Sequence, residues 1–267
     1  MKDIIITEKL DGGNACLKNG NVYARTHSVS TEHASFSQLK QINDFLINVK
    51  EHSDLSSLDI FGENMQAIHS IEYINLKSPF YIFNIKNNEN NFWLSYKGIE
   101  MISKSLNLPL VPEVYRGSFD SIRDLQDFLD KEIEKESFLG GPREGFVVRP
   151  LESFSDDMFS THVAKYVRKG HVQTDEHWSK NWKESKIDSQ FWENFIKIKR
   201  FFMIKLFLFL ISTIQLHAFL GIKPLNINEK KGINGNLGLS AKYSQENTDK
   251  KQVQILIYGP YVNELYI

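Results

Sequence analysis

The sequence predicts an α+β fold, in which short strands are interspersed with a few amphipathic helices. Apolar, β-branched and aromatic runs are bounded by turn residues, which is the pattern of strands. Other segments place apolar residues three or four positions apart, which is the pattern of helices. The chain has 267 residues, enough for one large domain or one domain with an appendage. Its 41% apolar and 24% charged residues exclude wholesale disorder.

The chain begins with predicted strands and tight turns. Asp3–Thr7 is apolar and β-branched, Leu10–Asn14 is rich in turn residues, and Asn19–Asn21 has the pattern of a hairpin turn. Further strands are predicted from apolar and aromatic runs at Leu58–Gly62, Phe80–Lys86, Phe92–Tyr96, Gly145–Arg149 and His162–Val167.

Two amphipathic helices are predicted between these strands. The first follows Ser35 and the second follows Asp120 or Ser121, residue types that cap helix N-termini. Their apolar positions are Phe36, Leu39, Ile42, Leu46 and Val49 in the first helix, and Ile122, Leu125, Leu129 and Ile133 in the second.

Charge and cysteine content exclude several classes of protein. The chain carries 32 basic and 33 acidic residues, a net charge of -1, so a nucleic-acid partner would need a local basic patch. Cys16 is the only cysteine, which excludes a disulfide framework and a cysteine zinc site and favours a reducing, cytoplasmic compartment. The apolar run Ile4–Ile6 is too short for a signal peptide.

The last third of the chain differs in composition, and we predict boundaries at residues 190 and 222. Residues 1–190 form the main domain, 191–222 an apolar helical segment and 223–267 a polar tail that ends in the β-prone run Gln252–Tyr258. Within the middle segment, Phe201–Ile222 is almost continuously apolar and as long as a membrane span. A buried or partner-dependent helix is favoured over membrane contact through 201–222, and a tail that does not fold natively is the third alternative.

Lys9 is the first candidate for chemistry, because it ends a predicted strand directly before the turn Leu10–Gly12. A rigid strand holds such a side chain in place, and Gly12 allows close backbone approach. A lysine amine is nucleophilic only when deprotonated, and desolvation or a neighbouring positive charge favours that state. The alternative is an ordinary surface lysine beside a β-turn.

Other segments carry charged or aromatic residues at the ends of predicted strands. They are Phe61–Asn64, Phe80–Ile85, Arg143–Arg149 and Val163–Arg168. Each has an ordinary explanation as a solvated strand end or as part of the core. Together with Lys9, and in this order, they are much harder to explain in that way.

At these residues the sequence resembles the ATP-dependent RNA ligases of the covalent nucleotidyltransferase superfamily. Lys9-Leu10-Asp11-Gly12 matches the nucleotidyl-lysine motif KxDG, and the third, aromatic, fourth and fifth motifs match Phe61–Glu63, Phe80–Ile85, Glu144–Arg149 and Lys165. Flanking phrases around Glu8, His69 and 172–178 resemble the bacterial-type branch. The resemblance covers roughly residues 3–185. It implies a nucleotidyltransferase, ATP-grasp-like ligase fold with twisted antiparallel sheets and flanking helices, followed by an atypical tail.

The resemblance implies a ligation in three steps that uses ATP and Mg²⁺. Lys9 would attack the α-phosphate of ATP and form lysyl-AMP, and AMP would then pass to the 5′-phosphate of an RNA end. The 3′-hydroxyl of a second RNA end would displace AMP. Magnesium would be held by phosphates, waters and a few carboxylates.

The resemblance also assigns roles to individual residues. The catalytic set is Lys9, Asp11, Glu144 and Lys165. The nucleotide-binding set is Glu8, Arg25, Glu63, Phe83, Arg149 and Arg168. Glu144 would assist metal binding, Lys165 would contact the α-phosphate, and Glu63 would hold the ribose hydroxyls. Phe83 would stack on adenine, and strand alternation predicts that it shares one face with Tyr81 and Ile85, with core packing of this face as the alternative.

The sequence departs from the family pattern in two places. Many relatives carry lysines two residues apart in the fifth motif, whereas Val167 occupies the second place here. Relatives of this branch also usually carry a segment ahead of the first motif. Without such an edge strand, we expect unpaired backbone groups on the first strand and a looser adenine pocket.

A basic stretch follows the fourth motif and predicts an RNA-facing surface, with a solvated helix as the alternative. Its residues are Arg143, Arg149, Lys165, Arg168, Lys169, His171, Lys180, Lys183 and Lys186, with Trp178 and Trp182 among them. The leading hypothesis is thus an RNA-joining enzyme. A DNA ligase or capping enzyme, and an impaired remnant that binds nucleotide or RNA ends without turnover, are the alternatives. Oligomeric state and the kind of RNA break stay open.

Overall fold

The structure is a computed structural model that describes residues 2–25, 29–48, 55–169, 182–201 and 204, together with the backbone of 238–244 and 252–258. The chain divides into two compact units. The first comprises residues 1–43 and 52–193, and the second comprises 44–51 and 194–267. The motifs from Lys9 to Lys165 lie in the first unit, and the flanking phrase at 172–178 lies outside the described residues. The division predicted at residues 190 and 222 stays a prediction.

The described residues combine antiparallel strands with helices, so the α+β class is confirmed. The strands are β1 Ile4–Lys9, β2 Gly13–Lys18, β3 Asn21–Ala24, β4 Leu58–Asn64, β5 Ala67–Ile68, β6 Phe80–Asn87, β7 Phe92–Trp93, β8 Glu113–Gly117, β9 Gly145–Pro150, β10 Phe154–Ser155, β11 Ala164–Val167, β12 Lys183–Glu184, β13 Gly238–Ser244 and β14 Gln252–Tyr258. The helices are α1 Ser37–Asn48, α2 Tyr96–Leu106, α3 Ile122–Glu132 and α4 Phe159–His162, and a fifth covers 189–201.

The first sheet has the strand order β11-β9-β1-β8, and every pairing in it is antiparallel. The first strand therefore lies inside the sheet, where Ile4–Thr7 pairs with β8 on one side and β9 on the other. The expectation of unpaired backbone groups on the first strand is wrong, because a strand from the middle of the chain, β8, supplies the missing partner. Beyond the ladder, the Glu8 amide donates to the Pro112 carbonyl at 2.8 Å.

Strand alternation gives the first sheet two different faces. One face buries Ile4, Ile6, Phe146 and Val148 against the apolar side of α3, which begins at the capping residue Ser121. The opposite face carries the residues that alternate with these. On β1 they are Ile5, Thr7 and Lys9, and on the neighbouring strands they are Gly145, Val147, Arg149, Lys165 and Val167.

The second sheet has the order β10-β7-β6-β4-β2-β3. Its β4 strand pairs with β6 in two registers, because Phe61 lies opposite Asn84 whereas Gly62 lies opposite Ile82. Phe83 is thus the extra residue of a β-bulge, which bends a strand and re-aims its side chains. Asn84 accepts a hydrogen bond from Arg149 at 2.5 Å, so the Lys9 face of the first sheet meets the Asn84 face of the second.

Several elements differ from the sequence prediction. The run predicted as a strand at Phe92–Tyr96 is a two-residue strand followed by α2, whose N-cap is Ser95. Strand β8 was not predicted. Ser35 was predicted as an N-cap, but it lies within a 3₁₀ turn, Ala34–Phe36, that His33 caps.

The end of the chain is described only in part. Residues 252–258 form a strand with the predicted bounds, and it pairs with β13. Most of the apolar segment 201–222 lies outside the described residues. Among the residues that are described, no helix has both the length and the apolar character needed to cross a membrane.

Candidate active site

Lys9 and Glu144 form an ion pair at the adjoining ends of two neighbouring strands. Lys9 is the last residue of β1, and Glu144 directly precedes β9, where Gly145 lies opposite Lys9. The Lys9 Nζ contacts Glu144 Oε1. The lysine side chain is 28% exposed and the glutamate side chain 7% exposed. The amine is thus open to a ligand on one side, while the carboxylate is mostly shielded from water.

Glu63 adds a second carboxylate from the other sheet. It lies on β4 opposite Asn14 and Tyr81, on the face that meets the first sheet. Burial raises its pKa to about 8, and the carboxylates of Glu144 and Asp11 act in the same direction. Lys9 and a hydrogen bond from the Gly12 backbone oppose that rise. This site therefore gathers carboxyl groups around one lysine, an arrangement suited to a ligand that brings cations or hydroxyl donors.

Asp11 and Gly12 hold the turn after Lys9 against a neighbouring loop. The Asp11 carboxylate accepts hydrogen bonds from the amides of Ser70 and Ile71, both at 2.7 Å, and its own amide donates to the Tyr73 hydroxyl at 2.9 Å. A Cβ at position 12 would lie 2.8 Å from the Asn64 carbonyl oxygen, so only glycine fits. In this structure Asp11 anchors a loop, and its predicted catalytic role stays a prediction.

Phe83 lies partly buried beside the apolar cluster that contains Leu10, Tyr73 and Tyr81. Phe83 is the extra residue of the bulge and projects to the same side of the sheet as Tyr81. From Asn84 onward, β6 pairs with β4 in a different register. Ile85 pairs with Ile60 and thus lies on the opposite face. The prediction that Tyr81, Phe83 and Ile85 share one face is wrong for Ile85, because the bulge inverts the alternation. Stacking of Phe83 on adenine stays a prediction.

Lys165 and Val167 lie on the Lys9 face of the first sheet. Lys165 is opposite Val147, and Val167 is opposite Gly145, which in turn faces Lys9. Lys165 is exposed on the edge strand β11, roughly 12 Å from Lys9 by the usual strand spacings. The residue in line with Lys9 is thus a valine that is 46% exposed.

The arginines predicted to bind nucleotide lie in different surroundings. Arg149 is 3% exposed, donates to Asn84 and to the Leu94 carbonyl, and burial lowers its pKa to about 10. Arg168 donates to the Ile133 carbonyl at 2.5 Å, on the α3 side of the sheet. Arg25 is exposed just past the end of β3. A role for them at the nucleotide stays a prediction.

Glu8 and Arg143 are buried on the α3 side, 2% and 4% exposed, with Arg143 Nε 2.8 Å from Glu8 Oε1. The expectation that Arg143 and Arg149 face RNA on a basic surface is wrong, because both are buried. Sequence reasoning missed Tyr73 and Ser137 as neighbours of the motifs, and it placed Arg143 on an RNA-facing surface instead of behind Glu144. Only the position of Arg143 directly before Glu144 could have signalled its importance.

The residues present fit a divalent cation that arrives with a polyphosphate. Glu144 and Glu63 supply the hard oxygen ligands that Mg²⁺ prefers. Among the residues that the structure describes, no group of three His, Cys, Asp or Glu side chains is arranged to hold a metal ion by itself. Phosphate oxygens and waters would therefore have to complete the coordination.

Comparison with known proteins identifies the family. The sequence matches the RNA ligase family over residues 2–167. This chain belongs to the RNA ligase family. A search of curated proteins found no match.

Solved structures of RNA ligases are similar at low identity. The Naegleria gruberi RNA ligase with PPi is 18% identical, with a TM-score of 0.43, and covers 60% of this chain and 52% of its own. The K326A mutant of the Naegleria ligase with ATP and Mn is 19% identical, with a TM-score of 0.43, over 60% of this chain and 51% of its own. An archaeal ATP-dependent RNA ligase is 17% identical, with a TM-score of 0.43, over 62% of this chain and 43% of its own. The chain thus spans about half the length of the Naegleria ligases and less of the archaeal ligase.

Proposed function

We propose that the protein is an ATP-dependent RNA ligase that joins a 3′-hydroxyl to a 5′-phosphate through lysyl-AMP. The observation that carries this proposal is the ion pair between Lys9 and Glu144, with the Glu63 carboxyl close enough to interact electrostatically with both. A lysine at the end of a rigid strand, beside two carboxylates, is the arrangement that the family's motif predicts for a nucleotidyl acceptor. Membership of the RNA ligase family supports the same chemistry.

In the first step, the Lys9 amine attacks the α-phosphorus of ATP. The N–P bond forms, the bond to the β-phosphate oxygen breaks, and pyrophosphate leaves with the electron pair. The attacking amine must have lost its proton, and Glu144 is the group in contact with it that can accept that proton or hold the amine in place. Mg²⁺, when bound with the triphosphate, supplies charge neutralisation at the phosphate oxygens and favours the neutral amine.

In the later steps, the bound AMP passes to the 5′-phosphate of one RNA end, and the 3′-hydroxyl of another RNA end displaces it. Glu63 holds the ribose hydroxyls of the nucleotide, and Phe83 stacks on the adenine. Lys165 meets the phosphate from the exposed edge strand of the same sheet face. Positioning and electrostatic stabilisation supply most of the catalysis in phosphoryl transfer, so small displacements of these side chains are costly.

Labelling of the protein by ATP tests the proposal. Wild-type protein is incubated with α-labelled ATP and Mg²⁺, denatured, and examined for retained label. We expect label on the wild type and none on Lys9→Ala, because the acceptor nitrogen is gone. Lys18→Ala is the matched control, because Lys18 ends β2, a strand of the second sheet, in an ion pair with Asp59 and lies away from Lys9. Label that persists in Lys9→Ala would refute the assignment of the nucleophile.

Val167 supports a second candidate function. The side chain in line with Lys9 on the edge strand is apolar, where many relatives carry a lysine. A remnant that binds nucleotide or RNA ends without turnover would bind ATP but retain no label after denaturation. Labelling by GTP instead of ATP would indicate capping chemistry. Sealing of a nicked DNA duplex but not of RNA would indicate a DNA ligase.

A further inference from the structure

A buried arginine lies directly behind the ion pair of the candidate site. Arg143 precedes Glu144, is 4% exposed, and points to the α3 side of the sheet while Glu144 meets Lys9. Its guanidinium carbon lies 5.3 Å from the centre of the Phe138 ring and 5.6 Å from that of Phe146. The two aromatic rings hold the planar group by cation–π contact and restrict its orientation.

Polar groups also surround the guanidinium of Arg143. Its Nε lies 2.8 Å from Glu8 Oε1, and its Nη1 donates to both the backbone carbonyl and Oε2 of Glu132, each at 2.9 Å. Glu132 is the last residue of α3, where the helix dipole favours positive charge. Hydrogen bonds from Lys135 and Arg143 lower the pKa of Glu132, although its burial acts in the opposite direction.

Glu8 is equally well fixed, and it immediately precedes Lys9. Its Oε2 accepts from the Ser137 hydroxyl at 2.6 Å, and its Oε1 accepts from the Phe138 amide at 3.1 Å. The Glu8 side chain is therefore engaged on the α3 side of the sheet by Arg143, Ser137 and Phe138, whereas Lys9 points to the other side. This arrangement places the Glu8 side chain on the face of the sheet opposite to Lys9.

Hydrogen bonds through Arg168 connect the backbone of Glu144 to the C-terminal end of α3. The Glu144 carbonyl accepts from the Arg168 amide at 2.9 Å, and the Arg168 side chain donates to the Ile133 carbonyl, at the C-cap of α3. Glu8 and Arg143, which directly precede Lys9 and Glu144, thus form an ion pair with each other. The C-terminal end of α3 binds both Arg143 and Arg168.

We infer that Arg143 is a positioning residue, which, with Glu8, sets the spacing between the Lys9 amine and the Glu144 carboxylate. This inference rests on the proposed function for its kinetic consequence. A buried ion pair contributes little to stability compared with an apolar pair of the same volume, and the role inferred for this pair is to hold geometry. Lys9 and Glu144 lie where the β1–β9 ladder ends, so the ladder alone does not fix their side chains.

Arg143→Lys and Glu8→Gln test the role by kinetics. Lysine keeps the charge of Arg143 but cannot bind Glu8 and Glu132 at once through a planar fork. We expect the rate of lysyl-AMP formation at saturating ATP to fall by roughly 10- to 100-fold, because a displacement near 1 Å costs about that much. The KM for ATP should change by no more than about threefold, since the residue does not touch the nucleotide. A nucleotide-binding role for Glu8 would instead raise KM in Glu8→Gln.

A matched control separates this effect from general loss of an arginine. Arg116 lies on β8 of the same sheet and pairs with Glu100 and Glu113, and Arg116→Lys should leave both the rate and KM unchanged. Thermal unfolding of each variant verifies that it is folded at the assay temperature. If Arg143→Lys keeps the wild-type rate, the inference is overturned.

Acylation of Lys9 provides a readout that does not require ligase activity. Wild type and variants are treated with limiting acetic anhydride, and acetylation of Lys9 is measured by mass spectrometry relative to Lys18. The ion pair with Glu144 protects the amine, so loss of its geometry in Arg143→Lys should raise Lys9 acetylation several-fold, whereas Arg116→Lys should not change it. Unchanged acetylation in Arg143→Lys overturns the inference. Absence of adenylation in the wild type would refute the proposed function but not the role of Arg143. The comparison of Lys9 acetylation between wild type and Arg143→Lys still decides that role.

Discussion

We expect Glu63 to destabilise the folded protein at neutral and alkaline pH, and replacement by glutamine should reveal this cost. Burial raises the pKa of the Glu63 carboxyl from 4.5 to about 8. A carboxyl with a raised pKa binds its proton more tightly in the folded state than in the unfolded state. Its contribution therefore favours folding below pH 4.5 and is lost as pH rises through about 8. The amide introduced by Glu63→Gln would stay neutral at every pH and would keep an acceptor for the Gly12 amide.

The expected magnitude follows from the difference between the two pKa values. A difference of about 3.5 units at about 1.36 kcal/mol per unit gives roughly 4.8 kcal/mol once the carboxyl is ionised in both states. Glu63 keeps partial contact with solvent, which screens the charge, so we expect about half of this, roughly 2 kcal/mol, at pH 8. For a unit of this size, Glu63→Gln should then raise Tm by about 4–8 °C at pH 8 and by almost nothing near pH 4.5.

Thermal unfolding of wild type and Glu63→Gln across pH 4.5–9 measures the effect. Glu89→Gln is the matched control, because Glu89 is exposed in the loop before β7, and its Tm difference from wild type should stay flat with pH. A Glu63→Gln difference that is flat, or that shrinks as pH rises, would refute the reasoning. The same variant should label poorly with ATP, because glutamine is a weaker acceptor than a carboxylate for the ribose hydroxyls. Glu63→Gln should thus be more stable but less active than the wild type.

Two further substitutions test the sheet and the adenine contact. Gly145→Ala should lower stability by about 1–3 kcal/mol, because its Cβ would lie 2.1 Å from the Tyr166 carbonyl oxygen and push β11 away. Gly98→Ala in α2 is the control: its Cβ would meet no atom closer than 3.5 Å, so Tm should not fall in thermal unfolding. Phe83→Ala and Phe83→Leu should both raise the KM for ATP about 10-fold through lost stacking, measured by adenylation. Leucine should keep most of the packing of the phenylalanine side chain. If only Phe83→Ala lowers Tm and neither variant changes the KM for ATP, Phe83 is a core residue instead.

Local sequence was sufficient for elements whose own residues carry the signal. Helix α3 begins after its predicted cap Ser121, because a serine followed by apolar residues at helical spacing satisfies the first amides and buries one face. The strand at 252–258 likewise has its predicted bounds. Strand β8 could not be found in this way, because it is half-exposed and owes its place to pairing with β1, which is more than 100 positions earlier in the chain.

The sequence by itself determined the family and the set of charged residues expected around Lys9, because each motif is a short local run and the order of the motifs along the chain is distinctive. The structure brings Lys9, Glu63 and Glu144 together, as expected for one site, while the roles of these residues await the labelling experiment. The surroundings of Arg143 were decided only by tertiary structure. Burial of an arginine depends on the helix end and the rings that pack over it, and these come from other parts of the chain.

Tertiary structure also decided which face of β6 each aromatic residue occupies. Alternation along a single strand predicts one face for Tyr81, Phe83 and Ile85, but the pairing partner β4 is one residue shorter across this stretch and forces a bulge at Phe83. A strand's own residues do not encode how many residues its neighbour supplies. Register, and with it the direction of a side chain toward the site, is a property of paired strands and is set only when they meet.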